Sequence, residues 1–143
     1  GNHSFSHSKL IFKSPIFLRH EIEWTDALLR QNDVKGDIPF RTPHGMQFWG
    51  ISKILKFQNR KNILFDVLVW DWLLKSPEWI AFLTTWQVRP GSIIVLHDGG
   101  GDRSATVKAL PLIISKLQQK NYRIISIDEM LNLYHTNYSL QFT

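Results

Sequence analysis

Two apolar runs constrain the fold of this chain more than any other feature. Residues 62–70 carry Ile63, Leu64, Phe65, Val67, Leu68 and Val69, and residues 92–97 carry Ile93, Ile94, Val95 and Leu96 in succession. Runs of this length fit strands buried on both faces. Between them Ser76-Pro77-Glu78 opens a helix, because serine caps and proline suits the first turn; the helix is expected to reach about Val88. Ser14-Pro15 is the same signal upstream and predicts a helix to about Gln31. Residues 46–58 read as a helix with Phe48, Ile51, Ile54 and Leu55 on one face, residues 104–120 as another and residues 128–133 as a short one. Residues 37–40 and 123–127 read as further strands. Strands alternating with helices in this way imply βα units and a parallel sheet or barrel, in one domain over residues 1–143.

Composition narrows the function classes. With 43% apolar residues the chain has enough material for a real core, and its six tryptophans are expected mostly inside it. The net charge of +5 is spread over scattered residues, from Lys9 and Lys13 to Lys116 and Lys120. A nucleic-acid surface would show a clustered stripe and a known module, so no nucleic-acid partner is expected. The absence of cysteine excludes thiolate zinc sites. No apolar run reaches the length of a membrane span, and the polar first nine residues do not read as a signal peptide.

In parallel α/β folds, chemistry gathers where strands end and loops begin. Arg41-Thr42-Pro43-His44-Gly45, Asp71-Trp72 and His97-Asp98 all fall at such places. An arginine at a strand end can orient a carboxylate, and the Pro-x-Gly turn can expose a backbone N–H toward an oxyanion. A histidine closing a buried strand is placed for proton transfer near neutral pH. At the start, His3 and His7 stand four residues apart, and on a helical turn the two rings would grip one cation. The loop Gly99-Gly100-Gly101-Asp102-Arg103-Ser104 lacks the ending of a P-loop and reads as a tight strand-to-helix turn.

In this order and spacing, Gly-Asn-His-Ser-Phe-Ser-His, Arg-Thr-Pro-His-Gly, Asp-Trp and Leu-His-Asp resemble the polysaccharide deacetylases of carbohydrate esterase family 4, which carry the NodB-homology domain. The resemblance covers residues 1 to about 133. It implies an irregular (β/α) barrel and a divalent metal, zinc by default, held partly by His3 and His7. It makes His44 the turn residue whose N–H faces the oxyanion, next to Pro43, and Arg41 the residue that holds the catalytic aspartate. His97 becomes the acid that protonates the leaving amine. Val95 and Leu96 would line the acetyl pocket, and Trp72 would flank the groove beside Asp71. The implied reaction is metal-assisted removal of N-acetyl groups from a chitin- or peptidoglycan-like glycan, outside the cytoplasm or in the cell envelope.

The pattern also departs from the family. Its first motif, Thr-Phe-Asp-Asp-Gly-Pro, supplies a metal ligand and the catalytic base and has no counterpart in residues 1–143. The expectation is therefore a barrel lacking its first strand and helix, with weak metal binding and little activity; the alternative is a non-catalytic glycan-binding remnant. Leu68 stands where the family often has an aspartate tuning the final histidine, leaving Asp66 or Asp71 for that role. His44 replaces the commoner tyrosine or phenylalanine.

Overall fold

The structure, a computed structural model, describes residues 1–46 and 48–139. They form two compact units, Gly1–Leu64 and Phe65–Thr143.

In the first unit, helix α1 spans Pro15–Gln31 and helix α2 spans Trp49–Phe57. Ser14 caps α1 as predicted, its hydroxyl accepting from the Phe17 N–H at 3.2 Å. Three extended segments meet at parallel bridges, Asn2 with Phe40 and Phe40 with Asn62. Each pairing spans a helix, which is the βα arrangement expected from the sequence. The strand predicted at 37–40 is reduced to the Phe40 bridge. Phe40 is the largest side chain in the core here, with Leu10, Leu18, Ile22, Ile51 and Leu55 around it. Helix α2 starts at Trp49 and not at residue 46, because His44 and Gly45 are left-handed and Phe48 is still extended.

In the second unit, strand β1 (Val67–Leu68) pairs in parallel with strand β2 (Ile94–Val95). Helix α3 spans Pro77–Gln87, α4 Ser104–Gln119 and α5 Ile127–Ser139. Ser76 caps α3 through the Trp79 N–H at 3.2 Å. The small side chains Ala81 and Ala109 let α3 and α4 approach, and Ile80, Ile113 and Leu117 fill the seam. Val69, Ile94 and Leu96 pack on that core. Helix α4 continues past Pro111, which cannot donate to the preceding turn.

Several expectations are corrected. The strands predicted over 62–70 and 92–97 shrink to two paired residues each, and residues 93–97 are only half-buried. Ile94 and Leu96 are the residues of the second run that pack on the core of α3 and α4. Residues 123–127 form no strand; α5 begins at Ile127 and runs beyond the short helix expected. The strand pairing is open among the described residues. None of the six tryptophans is in a core: Trp24, Trp49, Trp70, Trp72, Trp79 and Trp86 are 37–73% exposed. Ile, Leu, Val, Ala and one Phe fill the cores instead, since branched aliphatic groups interlock between closely packed helices. No helix among the described residues is long and apolar enough to cross a membrane.

Candidate active site

The first unit gathers the N-terminal motif around Asn2, which is 1% exposed. Its backbone joins the segment at 39–41: the Asn2 N–H donates to Pro39 O, and Arg41 N–H donates to Asn2 O. Its side-chain amide donates to Ile22 O at 2.8 Å and to Asp26 at 2.7 Å on α1, and its Oδ1 accepts from the Ser4 N–H at 2.9 Å. Arg60 holds Asp26 from the far side. Buried Glu21 accepts from the Ser6 N–H at 2.9 Å. These groups fix the loop that carries His3 and His7. Sequence reasoning missed both Asn2 and Glu21; the legible signal was a single acidic residue, Glu21, on the apolar stripe of Leu18 and Ile22.

The loop is not the helical turn that the spacing suggested. Residues 3–7 have no helical assignment, and Ser4 and His7 are left-handed. The two imidazoles still meet, with ring centres 4.9 Å apart. His3 Nδ1 lies 2.7 Å from Arg41 O. A carbonyl only accepts, so Nδ1 carries the hydrogen and Nε2 keeps its lone pair. A backbone carbonyl behind an imidazole is the support that metal-binding histidines use. The donor chemistry of this pair fits a first-row divalent ion. Among the described residues no group of three or more His, Cys, Asp or Glu is arranged to hold a metal.

The Arg41 to Gly45 segment follows directly. Arg41 Nε donates to Ile63 O at 2.9 Å, and burial pulls its guanidinium below the ordinary range. Thr42 is fully buried, and its hydroxyl has no partner among the described residues. Pro43–Gly45 forms one 3-10 turn, closed by Gly45 N–H to Thr42 O and Met46 N–H to Pro43 O. His44 N–H is not among the amides that close it. His44 is left-handed at φ 59°, and its exposed ring sits 4.8 Å from that of His7.

The second unit builds its own assembly at the ends of β1 and β2. Trp70, left-handed at φ 47°, turns the chain so that Asp71 points inward. Asp71 is 1% exposed and accepts three hydrogen bonds: from His97 N–H at 2.9 Å, from His97 Nδ1 at 2.8 Å and from the Thr106 hydroxyl of α4 at 2.9 Å. The carboxylate therefore fixes Nδ1 as the protonated nitrogen and leaves Nε2 to face outward from a ring that is 39% exposed. Trp72 stands edge-on to His97 with ring centres 4.7 Å apart. Val95 and His97 alternate with the core-facing Ile94 and Leu96, so Val95 shares the His97 face while Leu96 packs inward.

Of the two aspartates left open by the sequence, Asp71 is the partner of His97. Asp66 is engaged at the start of β2, by Ile93 N–H at 2.7 Å, Ser92 Oγ at 2.9 Å and Arg89 at 3.5 Å. Thr106 was not read from the sequence, since nothing local marks a helix threonine as the ligand of a distant carboxylate. The glycine loop is the turn expected: Arg103 donates to Gly100 O, and Asp102 accepts from Ser104 N–H at the start of α4.

The comparisons decide the kinship. The chain is 29% identical over 142 residues to a peptidoglycan-N-acetylglucosamine deacetylase of Bacillus cereus, covering 94% of this chain and 64% of that protein. It superimposes with a TM-score of 0.85 on the crystal structure of the Bc1960 peptidoglycan N-acetylglucosamine deacetylase, at 27% identity over 91% of this chain and 61% of that one. A wild-type family 4 pseudoenzyme from Bacillus anthracis, BA3943, matches at a TM-score of 0.82 and 26% identity, over 92% of this chain and 45% of its own. This chain is a relative of the family 4 carbohydrate esterases. No family model matches it. As a mixed α/β esterase relative, it spans somewhat less than two thirds of the length of the Bacillus cereus relative.

Proposed function

We propose that this esterase relative contributes the metal-binding histidines and the proton-donating histidine of a hydrolase that removes N-acetyl groups from amino sugars of a peptidoglycan- or chitin-like glycan. Its frame on this reading is the irregular (β/α) barrel without its first strand and helix, and its site of action is outside the cytoplasm or in the cell envelope. The observation that carries the reading is His97, a partly exposed ring with Nδ1 anchored on buried Asp71.

His3 and His7 would hold a divalent ion, zinc by default. Such an ion supplies Lewis acidity toward the acyl oxygen and a water of lowered pKa. The chain's own groups orient the reactants and donate the leaving-group proton. The His44 N–H faces the oxygen on which negative charge develops. Arg41 would orient, through its remaining donors, the carboxylate that takes the water's proton, a group that the family's first motif supplies and residues 1–143 do not. His97 delivers a proton from Nε2 to the amine nitrogen as the C–N bond breaks, and Asp71 stabilises the ring while it is charged. Trp72 offers an apolar edge to a sugar ring, and Val95 an apolar contact to the acetyl methyl. The products are acetate and a free amino sugar.

The test is acetate release from N-acetylated muropeptides and chitooligosaccharides with zinc present. Release by the chain, reduced about 100-fold or more in His97→Ala, supports the reading. The pseudoenzyme relative favours a second one, a glycan-binding domain without chemistry. Glycan binding by a folded chain with no acetate released would select it.

A further inference from the structure

The net charge of +5 is not shared between the two units. Ten of the 17 Lys and Arg but only five of the 12 Asp and Glu lie in residues 1–64, so residues 65–143 are formally neutral. Residues 1–20 and 38–65 contain no acidic residue.

Helix α2 presents part of this charge among exposed rings. Ile51 and Leu55 enter the core of the first unit, while Trp49, Lys53, Lys56 and Phe57 fall on the opposite side of the helix by its 3.6-residue period. Trp49 is 63% exposed and Phe57 94%. The Lys53 ammonium lies over the Trp49 ring, 4.4 Å from its centre. The rings of Phe12, Phe48 and Trp49 run in series, with centres 4.8 and 6.2 Å apart. Phe12 is 82% exposed and left-handed at φ 55°, a conformation that bulky residues rarely adopt. Lys9 and Lys13, on either side of it in sequence, are exposed. Among the described residues none of these four lysines joins an ion pair. Glu23 shares a groove with Lys53 and Phe57.

Rings this exposed protrude from the surface and line no cavity. A sugar or a flat protein surface would cover one side of them. The boundary between lipid headgroups and acyl chains would surround them, and lysine stems can lie along that apolar layer while their ammonium groups stay among the phosphates. A second copy docked on the same face would bring like charges together. The excess of lysine selects anionic lipid.

We propose that this face of the first unit, with Phe12, Trp49 and Phe57 inserted and Lys53 and Lys56 on the phosphates, docks the chain peripherally on an anionic lipid bilayer. It does so whether or not the chain releases acetate.

The test is cosedimentation of the chain with vesicles of equimolar phosphatidylglycerol and phosphatidylcholine, and with vesicles of phosphatidylcholine alone, at low and high salt. One double variant joins Phe12→Asn, which suits a left-handed turn, to Phe57→Gln, which suits a helix. The other joins Lys53→Gln to Lys56→Gln. Circular dichroism checks the fold, and sedimentation equilibrium the oligomeric state. The expected result is binding to the anionic vesicles only, weakened by salt, and lowered about tenfold or more in each folded double variant. Lipids with brominated acyl chains should quench the tryptophan fluorescence, and less so in Trp49→Phe. No binding of the folded chain to anionic vesicles would overturn the proposal. Binding that is indifferent to the Phe12 and Phe57 changes and abolished by soluble polyphosphate would overturn it in favour of a polyanion held by charge alone. A dimer that the same changes dissociate, without vesicle binding, would overturn it in favour of a second copy.

Discussion

Asp71 shows how much one side chain decides. It is almost wholly buried, and its carboxylate accepts from His97 twice and from Thr106 once. Removing it strands a backbone N–H, an imidazole and a hydroxyl, each of which costs about 1–3 kcal/mol when buried without a partner. Asp71→Ala is therefore expected to lower stability by about 3 kcal/mol in urea titration. Asp71→Asn should fold better and still disturb the ring. An amide can offer an N–H where the carboxylate only accepted, so 15N chemical shifts of His97 should show the hydrogen leaving Nδ1 for Nε2. An unchanged tautomer would remove Asp71 from its positioning role.

At the scale of elements, the start of the β1–β2 pair depends on Asp66. Burial alone would raise its pKa, but Ile93 N–H, the Ser92 hydroxyl and the Arg89 charge outweigh it, and the net shift is downward. A carboxylate depressed in the fold stabilises above its unfolded pKa of about 3.9, and the contribution is lost as pH falls through the folded value. The stability gap between wild type and Asp66→Asn should therefore be constant above about pH 5 and shrink below about pH 4. Urea midpoints measured across that range check the sign; a gap that widens on acidification would contradict it. The two Ser-Pro helix starts behave as written in the sequence. Ser14 and Ser76 each cap through a hydroxyl, and Ser76→Ala should cost about 1 kcal/mol. The strands were less legible. Apolar runs mark where a strand can lie, but ladder length depends on partners elsewhere in the chain, and β1 and β2 pair over only two residues each.

At the scale of the whole chain, two units carry two separate cores. Ile22 anchors one and Ile113 the other. Substitution of either by alanine should cost about 2–4 kcal/mol. Hydrogen exchange should show amide protection falling mainly in the unit that holds the substitution. Equal loss across both units would mean a single cooperative core.

The sequence alone determined the order of helices, the two Ser-Pro capped starts, the apolar segments available for strands, the three polar motifs at strand ends and the fourth at the start of the chain. These are local properties, written in propensity, capping chemistry and spacing. It also carried the kinship, because the motifs recur in a fixed order. Only the tertiary structure decided that Asp71 and not Asp66 holds His97, and that Thr106 joins them from 35 residues away. Likewise it alone decided that Asn2 and Glu21 brace the histidine loop, that His44 stands beside His7, and that the tryptophans lie at the surface. Each of these is a meeting of side chains distant in sequence, or a choice of face, and spacing along a chain does not encode which groups a fold will bring within 3 Å.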